Sequence, residues 1–216
     1  MSRVDARRLV RGLYAVTPDT ADTERLVAAV SSAVSGGARI VQYRNKSAPD
    51  ALALEQARAL KSVCANRGAA FIVNDRIDLA LEVDADGVHL GGEDASCVEG
   101  RKKLGSTKLI GISCYDRIEL ARTAAGEGAD YVAFGSFFPS RVKPGAVRAP
   151  LELLTCAARE LGVPVVAIGG ITSVNAVELI RAGADAVAVI SAIFDAADVS
   201  AAARSFEALF GATHDA

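Results

Sequence analysis

Two short segments of this chain end alike. The apolar run Phe71-Ile72-Val73 stops at Asn74-Asp75-Arg76, and the run Gly87-Val88-His89-Leu90 stops at Gly91-Gly92-Glu93-Asp94. Each delivers a carboxylate at its end, Asp75 and Asp94. Two carboxylates are the usual protein contribution to Mg²⁺, which prefers oxygen and keeps positions for water and phosphate oxygens. Three cations fall at comparable places: Arg44 and Lys46 follow Ile40-Val41-Gln42-Tyr43, and Lys143 lies in the connection after Tyr131-Val132-Ala133-Phe134. Acids that hold a divalent cation beside bases that meet an anion fit a diphosphate bridged by Mg²⁺. Any one pair could be an ordinary surface salt bridge. Five charges, all placed where strands end, make that a weaker account.

Neutral groups extend the set. Asn74 and Ser113 can hydrogen-bond a leaving group or a ring, and the Gln42 amide can read the edge of a heterocycle. Gly169-Gly170 and Ile190-Ser191 have the makings of a phosphate cradle, in which glycine lets the backbone approach a ligand and a helix begins at a hydroxyl. A tight turn and an N-cap would use the same residues. Ser140 joins Lys143 in the long connection from Gly135 to Gly145, a length more often functional than idle. His89, alone in an apolar run, reads as a core residue, and His214 lies in the tail. No Ser-His-Asp order, P-loop or HExxH is present.

These residues need a scaffold that gathers distant strand ends. The chain alternates short apolar strands with amphipathic helices: strands at 13–16, 39–44, 71–73, 87–90, 109–113, 131–134, 164–168 and 186–190. Helices are expected from about Thr23 to Gly36, from Ser47 with a capping-box-like start through Pro49 and Asp50, and through Ile77, Ala80 and Leu81. Others are expected after Asp94, through Ile118 and Ala121, from 151 to 161, from 174 to 182 capped by Thr172 or Ser173, and after Ser191. Nearly continuous β-branched strands suit a parallel sheet covered on its faces. Eight such units predict an α/β fold, a single (β/α)₈ barrel over residues 1–216 with short tails, in which every strand's carboxyl end opens on one rim. An open doubly wound sheet would want a glycine-rich turn after the first strand, and Thr17-Pro18-Asp19-Thr20 is not one.

Composition agrees. The 216 residues, 51% hydrophobic and 5% aromatic, allow one large aliphatic core. A charge of −2, from 24 basic and 26 acidic residues, offers neither a basic face for nucleic acid nor an acidic tail. No apolar run nears the roughly 20 residues that span a bilayer, and MSRVDARRLVRG has no signal-peptide core, so a soluble cytoplasmic protein is expected. Four scattered cysteines read as reduced thiols rather than a zinc site or disulfide framework. Small-molecule substrates are the expected partners, and homo-oligomerisation is left open.

On the blocks LYAVTPD, VQYRNK, NDRIDLAL, ADGVHLGGED, GISCYD, ADYVAFGSFFPS, VVAIGGI and AVAVISAIF, the chain closely resembles the thiamine phosphate synthase (thiamine-phosphate pyrophosphorylase) family of TIM-barrel transferases. The resemblance implies that 4-amino-2-methyl-5-hydroxymethylpyrimidine diphosphate is condensed with 4-methyl-5-(2-phosphoethyl)thiazole, carboxylated or not, to give thiamine phosphate and diphosphate. It implies Gln42 beside the aminopyrimidine, and Arg44, Lys46, Asn74, Ser113 and Lys143 around the diphosphate. Arg44, Lys46, Ser113 and Lys143 then assist its departure, Asp75 and Asp94 are Mg²⁺ ligands, and Ser140, Gly170, Ile190 and Ser191 form the thiazole-phosphate pocket. Ionisation precedes capture by the thiazole nitrogen in that scheme, and no general base is required.

One block departs from the family. Its Thr-x-Thr-Lys pattern reads Ser140-Arg141-Val142-Lys143, and Val142 has no hydroxyl to offer a phosphate, which leaves Arg141 as a candidate substitute. Two rivals are weighed. The related thiazole tautomerases carry a His shortly after the sixth strand, where this chain has Ser136; a non-catalytic binder of thiamine precursors would not need Asp75, Asp94 and Lys143 together.

Overall fold

The computed structural model describes residues 6, 9–92, 94–139, 145 and 147–212. Eight strands, β1 (Gly12–Val16), β2 (Ile40–Tyr43), β3 (Ala70–Asn74), β4 (Gly87–Leu90), β5 (Leu109–Tyr115), β6 (Tyr131–Phe134), β7 (Val165–Ile168) and β8 (Ala186–Val189), pair in sequence order and close into a barrel. All pairings are parallel, and β1 closes on β8 with Gly12 opposite Ala186. Around it lie α1 (Thr23–Ser35), α2 (Asp50–Ala65), α3 (Ile77–Glu82), α4 (Cys97–Leu104), α5 (Ile118–Gly126), α6 (Glu152–Glu160), α7 (Ala176–Arg181), α8 (Ser191–Phe194) and α9 (Val199–Ala212). The (β/α)₈ expectation holds.

Strand parity divides the core in two. Residues such as Leu13, Val41, Phe71, Val88 and Val132 point outward and pack on the helices, whereas Tyr14, Ile40, Ile72, Leu109, Tyr131 and Val166 fill the barrel interior. Ala6 and Val10 join the inner cluster, so the segment before β1 contributes to the floor. Among the described residues no helix is long and apolar enough to cross a membrane. The cysteines are free thiols, and Cys64, Cys97 and Cys114 are buried.

Local expectations fail where a neighbour overrides propensity. The second helix starts at Asp50 rather than Ser47: Pro49 is its N-cap with no side-chain cap bond, Ser47 bonds Asn45 and Asp50 pairs with Arg76 at 3.0 Å. A complete capping box forms instead at Ser96 and Glu99, before α4. In α3 it is Leu79, 3% exposed, that faces the core, while Leu81 is 47% exposed. The helix expected from Val174 starts at Ala176 with Asn175 as its cap, because Thr172 and Asn175 bond each other in the turn before it.

Candidate active site

The interior of the barrel is crossed by one chain of side-chain hydrogen bonds. Gln42 Nε2 donates to the Tyr14 hydroxyl at 2.8 Å, which bonds the Tyr131 hydroxyl at 2.8 Å. Tyr131 meets His89 Nδ1 at 3.1 Å, and His89 Nε2 meets Ser113 Oγ at 2.9 Å. Five strands thus contribute one polar residue each at inward-facing positions. The tyrosine rings meet edge to face with centroids 6.1 Å apart, and His89 stacks on Tyr131 at 5.6 Å. Burial pushes both phenols above their ordinary value, so they serve as neutral hydroxyls. Tyr131 needs space opposite it: a Cβ on Gly111 would lie 2.0 Å from its ring. His89 is therefore a core residue, as expected, but part of a polar network.

Above this network opens a cavity of about 760 Å³ lined by Gln42, Arg44, Asn74, Ser113, Gly169, Gly170, Ile190 and Ser191, among others. A smaller one of about 270 Å³ is lined by Lys46, Asn74, Asp75 and Arg76. Asn74 faces both, which makes them neighbours at one rim.

The rim charges are held by the loop after β1. Thr17, fully buried, accepts the Arg44 amide at 2.9 Å and donates to the Arg44 carbonyl at 3.0 Å. Asp19 Oδ1 accepts Arg44 Nη1 at 3.1 Å and the Lys46 amide at 3.2 Å. Arg44 therefore pairs with Asp19, a partner the sequence reading did not foresee, while Lys46 Nζ lies 3.5 Å from Asp75.

Asp75 sits just past β3 with φ of 62°, and its amide donates to the His89 carbonyl at 2.8 Å. Its carboxyl meets that of Asp94, whose Oδ2 accepts the Gly91 amide at 2.6 Å. Burial, then the hydrogen bond and the charge of Asp94, raise the Asp75 carboxyl above its ordinary value despite Lys46. Among the described residues Lys46 is the lysine that lies against the two carboxylates, and oxygen-only donors of this kind suit Mg²⁺.

After β7, Gly169 and Gly170 make room for a neighbouring loop. A Cβ on Gly169 would lie 2.0 Å from Ser136 Oγ, and one on Gly170 would lie 2.4 Å from the Pro139 carbonyl oxygen. The loop after β6 rests on them, with the Phe138 amide donating to the Gly169 carbonyl at 3.0 Å. Ile190 is the N-cap of α8 and Ser191 its first residue. Ser136 is buried and donates to the Phe138 carbonyl at 2.9 Å. Ser140, Arg141, Val142 and Lys143 lie outside the described residues.

Tyr14 and Tyr131 escaped the sequence reading because LYAV and YVAF pass as apolar runs. A signal was present in the shared parity of Tyr14, Gln42, His89, Ser113 and Tyr131, which places polar groups on the inner face of strands whose other inner residues are aliphatic or glycine.

Residues 13–193 match the family model described as thiamine monophosphate synthase. The thiamine-phosphate synthase of Nitrosospira multiformis is 54% identical over 204 residues, covering 94% of this chain and 87% of that protein. That of Chromobacterium violaceum is 54% identical over 203 residues, covering 94% and 98%. The solved thiamine phosphate pyrophosphorylase of Pyrococcus furiosus superposes with a TM-score of 0.85 at 37% identity, covering 95% of this chain and 98% of that one. With a closed barrel, a charged rim and full-length relatives in agreement, the chain belongs to the thiamine monophosphate synthase family of transferases.

Proposed function

We propose that this protein joins 4-amino-2-methyl-5-hydroxymethylpyrimidine diphosphate to 4-methyl-5-(2-phosphoethyl)thiazole, releasing thiamine phosphate and diphosphate. The observation that carries the reading is the meeting of Asp75 and Asp94 beside Lys46, where Asp75 and Lys46 line the smaller cavity that adjoins, through Asn74, the one with Gln42 and Ser113 in its wall. Asp75 and Asp94 would hold Mg²⁺, which when bound neutralises negative charge on the diphosphate oxygens. Lys46 and Arg44 add positive charge at the same rim. Gln42, its amide nitrogen engaged by Tyr14, offers its carbonyl oxygen to the exocyclic amine of the pyrimidine. Ser113, anchored by His89, is assigned to the diphosphate, as is Asn74. Gly170, Ile190 and Ser191 are assigned to the thiazole phosphate, with Ser140; Lys143 is assigned to the diphosphate.

The chemistry asks for little beyond positioning and electrostatics. The bond between the pyrimidine methylene carbon and the diphosphate oxygen breaks with its electron pair leaving on oxygen. The thiazole nitrogen then donates its lone pair to that carbon. No proton is transferred, so the network of Tyr14, Tyr131 and His89 need only hold the pyrimidine face in place.

Purified protein given both substrates and Mg²⁺ should release diphosphate in step with thiamine phosphate, with the carboxylated and decarboxylated thiazoles tried in parallel. Isomerisation of a thiazole without diphosphate release would favour a tautomerase, and binding without turnover would remove the enzymatic reading. Asp94→Ala should lower turnover about 100-fold, the scale of losing one electrostatic stabiliser of the transition state, with the melting temperature little changed.

A further inference from the structure

The pairing of β5 with β6 runs Ser113 to Ala133 and then Tyr115 to Phe134, so one extra residue is inserted on β5. Such a bulge re-aims side chains and is frequent beside active sites. Here Ser113 turns inward to His89, Cys114 is buried, and Tyr115 takes φ of 54°, a left-handed conformation unfavourable for a bulky residue. Burial does not explain a tyrosine there, since it is 43% exposed. Its ring lines the larger cavity, and its hydroxyl accepts the Gly92 amide at 3.0 Å. Gly92 lies two residues before Asp94, and Asp94 closes the same loop by accepting the Gly91 amide at 2.6 Å.

We infer that Tyr115 is a positioning residue, which ties the loop bearing Asp94 to β5 and so fixes the Asp94 carboxylate against Asp75 for the divalent cation. The inference rests on the metal reading proposed above. It makes Tyr115 act on metal affinity through Asp94, without contact to the reacting atoms.

The test compares parent, Tyr115→Phe and Asp94→Asn. Mn²⁺ binding in the presence of inorganic diphosphate is followed by electron paramagnetic resonance, alongside Mg²⁺ activation of turnover and hydrogen exchange at the Gly92 amide. Tyr115→Phe should weaken Mn²⁺ and raise the half-activating Mg²⁺ concentration about five-fold, the scale of one neutral hydrogen bond. It should also speed Gly92 exchange, return to within about two-fold of parent kcat at saturating Mg²⁺, and leave the KM for thiazole phosphate unchanged. If Asp94→Asn loses Mn²⁺ affinity while Tyr115→Phe keeps the parent's, the role of Tyr115 is overturned and the metal reading stands. If Asp94→Asn also keeps it, the metal reading itself fails. A Tyr115→Phe protein in which metal affinity and thiazole phosphate KM suffer alike has loosened generally, and that result too overturns the inference.

Discussion

At Asp75 two unfavourable circumstances coincide: a left-handed backbone, φ 62°, and a carboxyl pressed against that of Asp94. Asparagine tolerates the first as well as any residue with a side chain and removes the second. The sign of the pH effect follows from the raised folded value. Below the ordinary carboxylate range Asp75 is protonated both folded and unfolded and costs nothing; as pH climbs through the raised value its charge opposes folding. Asp75→Asn should therefore melt above the parent at neutral pH, with the gap shrinking toward pH 4 and on addition of Mg²⁺ to the parent. Turnover should fall about 100-fold. Lys46, whose side chain is 56% exposed, loses little with its partner. Thermal melts from pH 4.5 to 8 decide: a lower melting temperature for Asp75→Asn at neutral pH would mean that Lys46 already satisfies the pair.

Between elements, the loop after β1 is the support for the loop after β2. The Thr17 hydroxyl replaces a missing strand partner for both backbone groups of Arg44. Thr17→Val keeps the shape and strands those groups, which should cost about 2 kcal/mol and raise the KM for the pyrimidine diphosphate several-fold, while the thiazole phosphate KM stays put. A uniform rise in both would remove Thr17 as a specific support. Most elements were legible because each strand is a short apolar run that stops at polar residues, and several of those residues, Gln42, Arg44, Asn74 and Asp75 among them, line the two cavities at the rim. The turns were harder: nothing local says that Pro49 rather than Ser47 opens α2, or that Asp50 spends its charge on Arg76. Contacts across the barrel were hidden for the same reason. Asp19 meets Arg44, and Tyr14 meets Tyr131 over 117 positions, at a closeness set only when the strands close on one another.

Across the whole molecule, the face opposite the site has its own repeating device. Asp86, Asp130 and Asp185 each donate an amide to the carbonyl of Phe71, Ile110 and Val165, and each carboxylate accepts the amide of that same residue at 2.8 Å. The phrase Ala-Asp recurs just before β4, β6 and β8. Before β2 its place is taken by Ala38-Arg39, where the Arg39 amide bonds the Leu13 carbonyl and the guanidinium reaches Glu207 of α9 at 2.9 Å. At this fourth position the acid comes from the last helix and meets the Arg39 side chain rather than a strand amide, which ties α9 to the start of β2. In a barrel this rim supports stability while the other carries chemistry. Asp130 tests the division, since it also pairs with Arg101 at 2.5 Å and its side chain is only 14% exposed. Asp130→Ala should cost about 3 kcal/mol, as breaking a largely buried pair does, and lower the melting temperature by about 6–12 °C for a chain of this length. At 25 °C, where it remains folded, kcat/KM and Mg²⁺ activation should match the parent within about two-fold. A folded Asp130→Ala protein with impaired turnover would show that the clamp rim governs the geometry of the charged one, and that the two faces of this barrel are not independent.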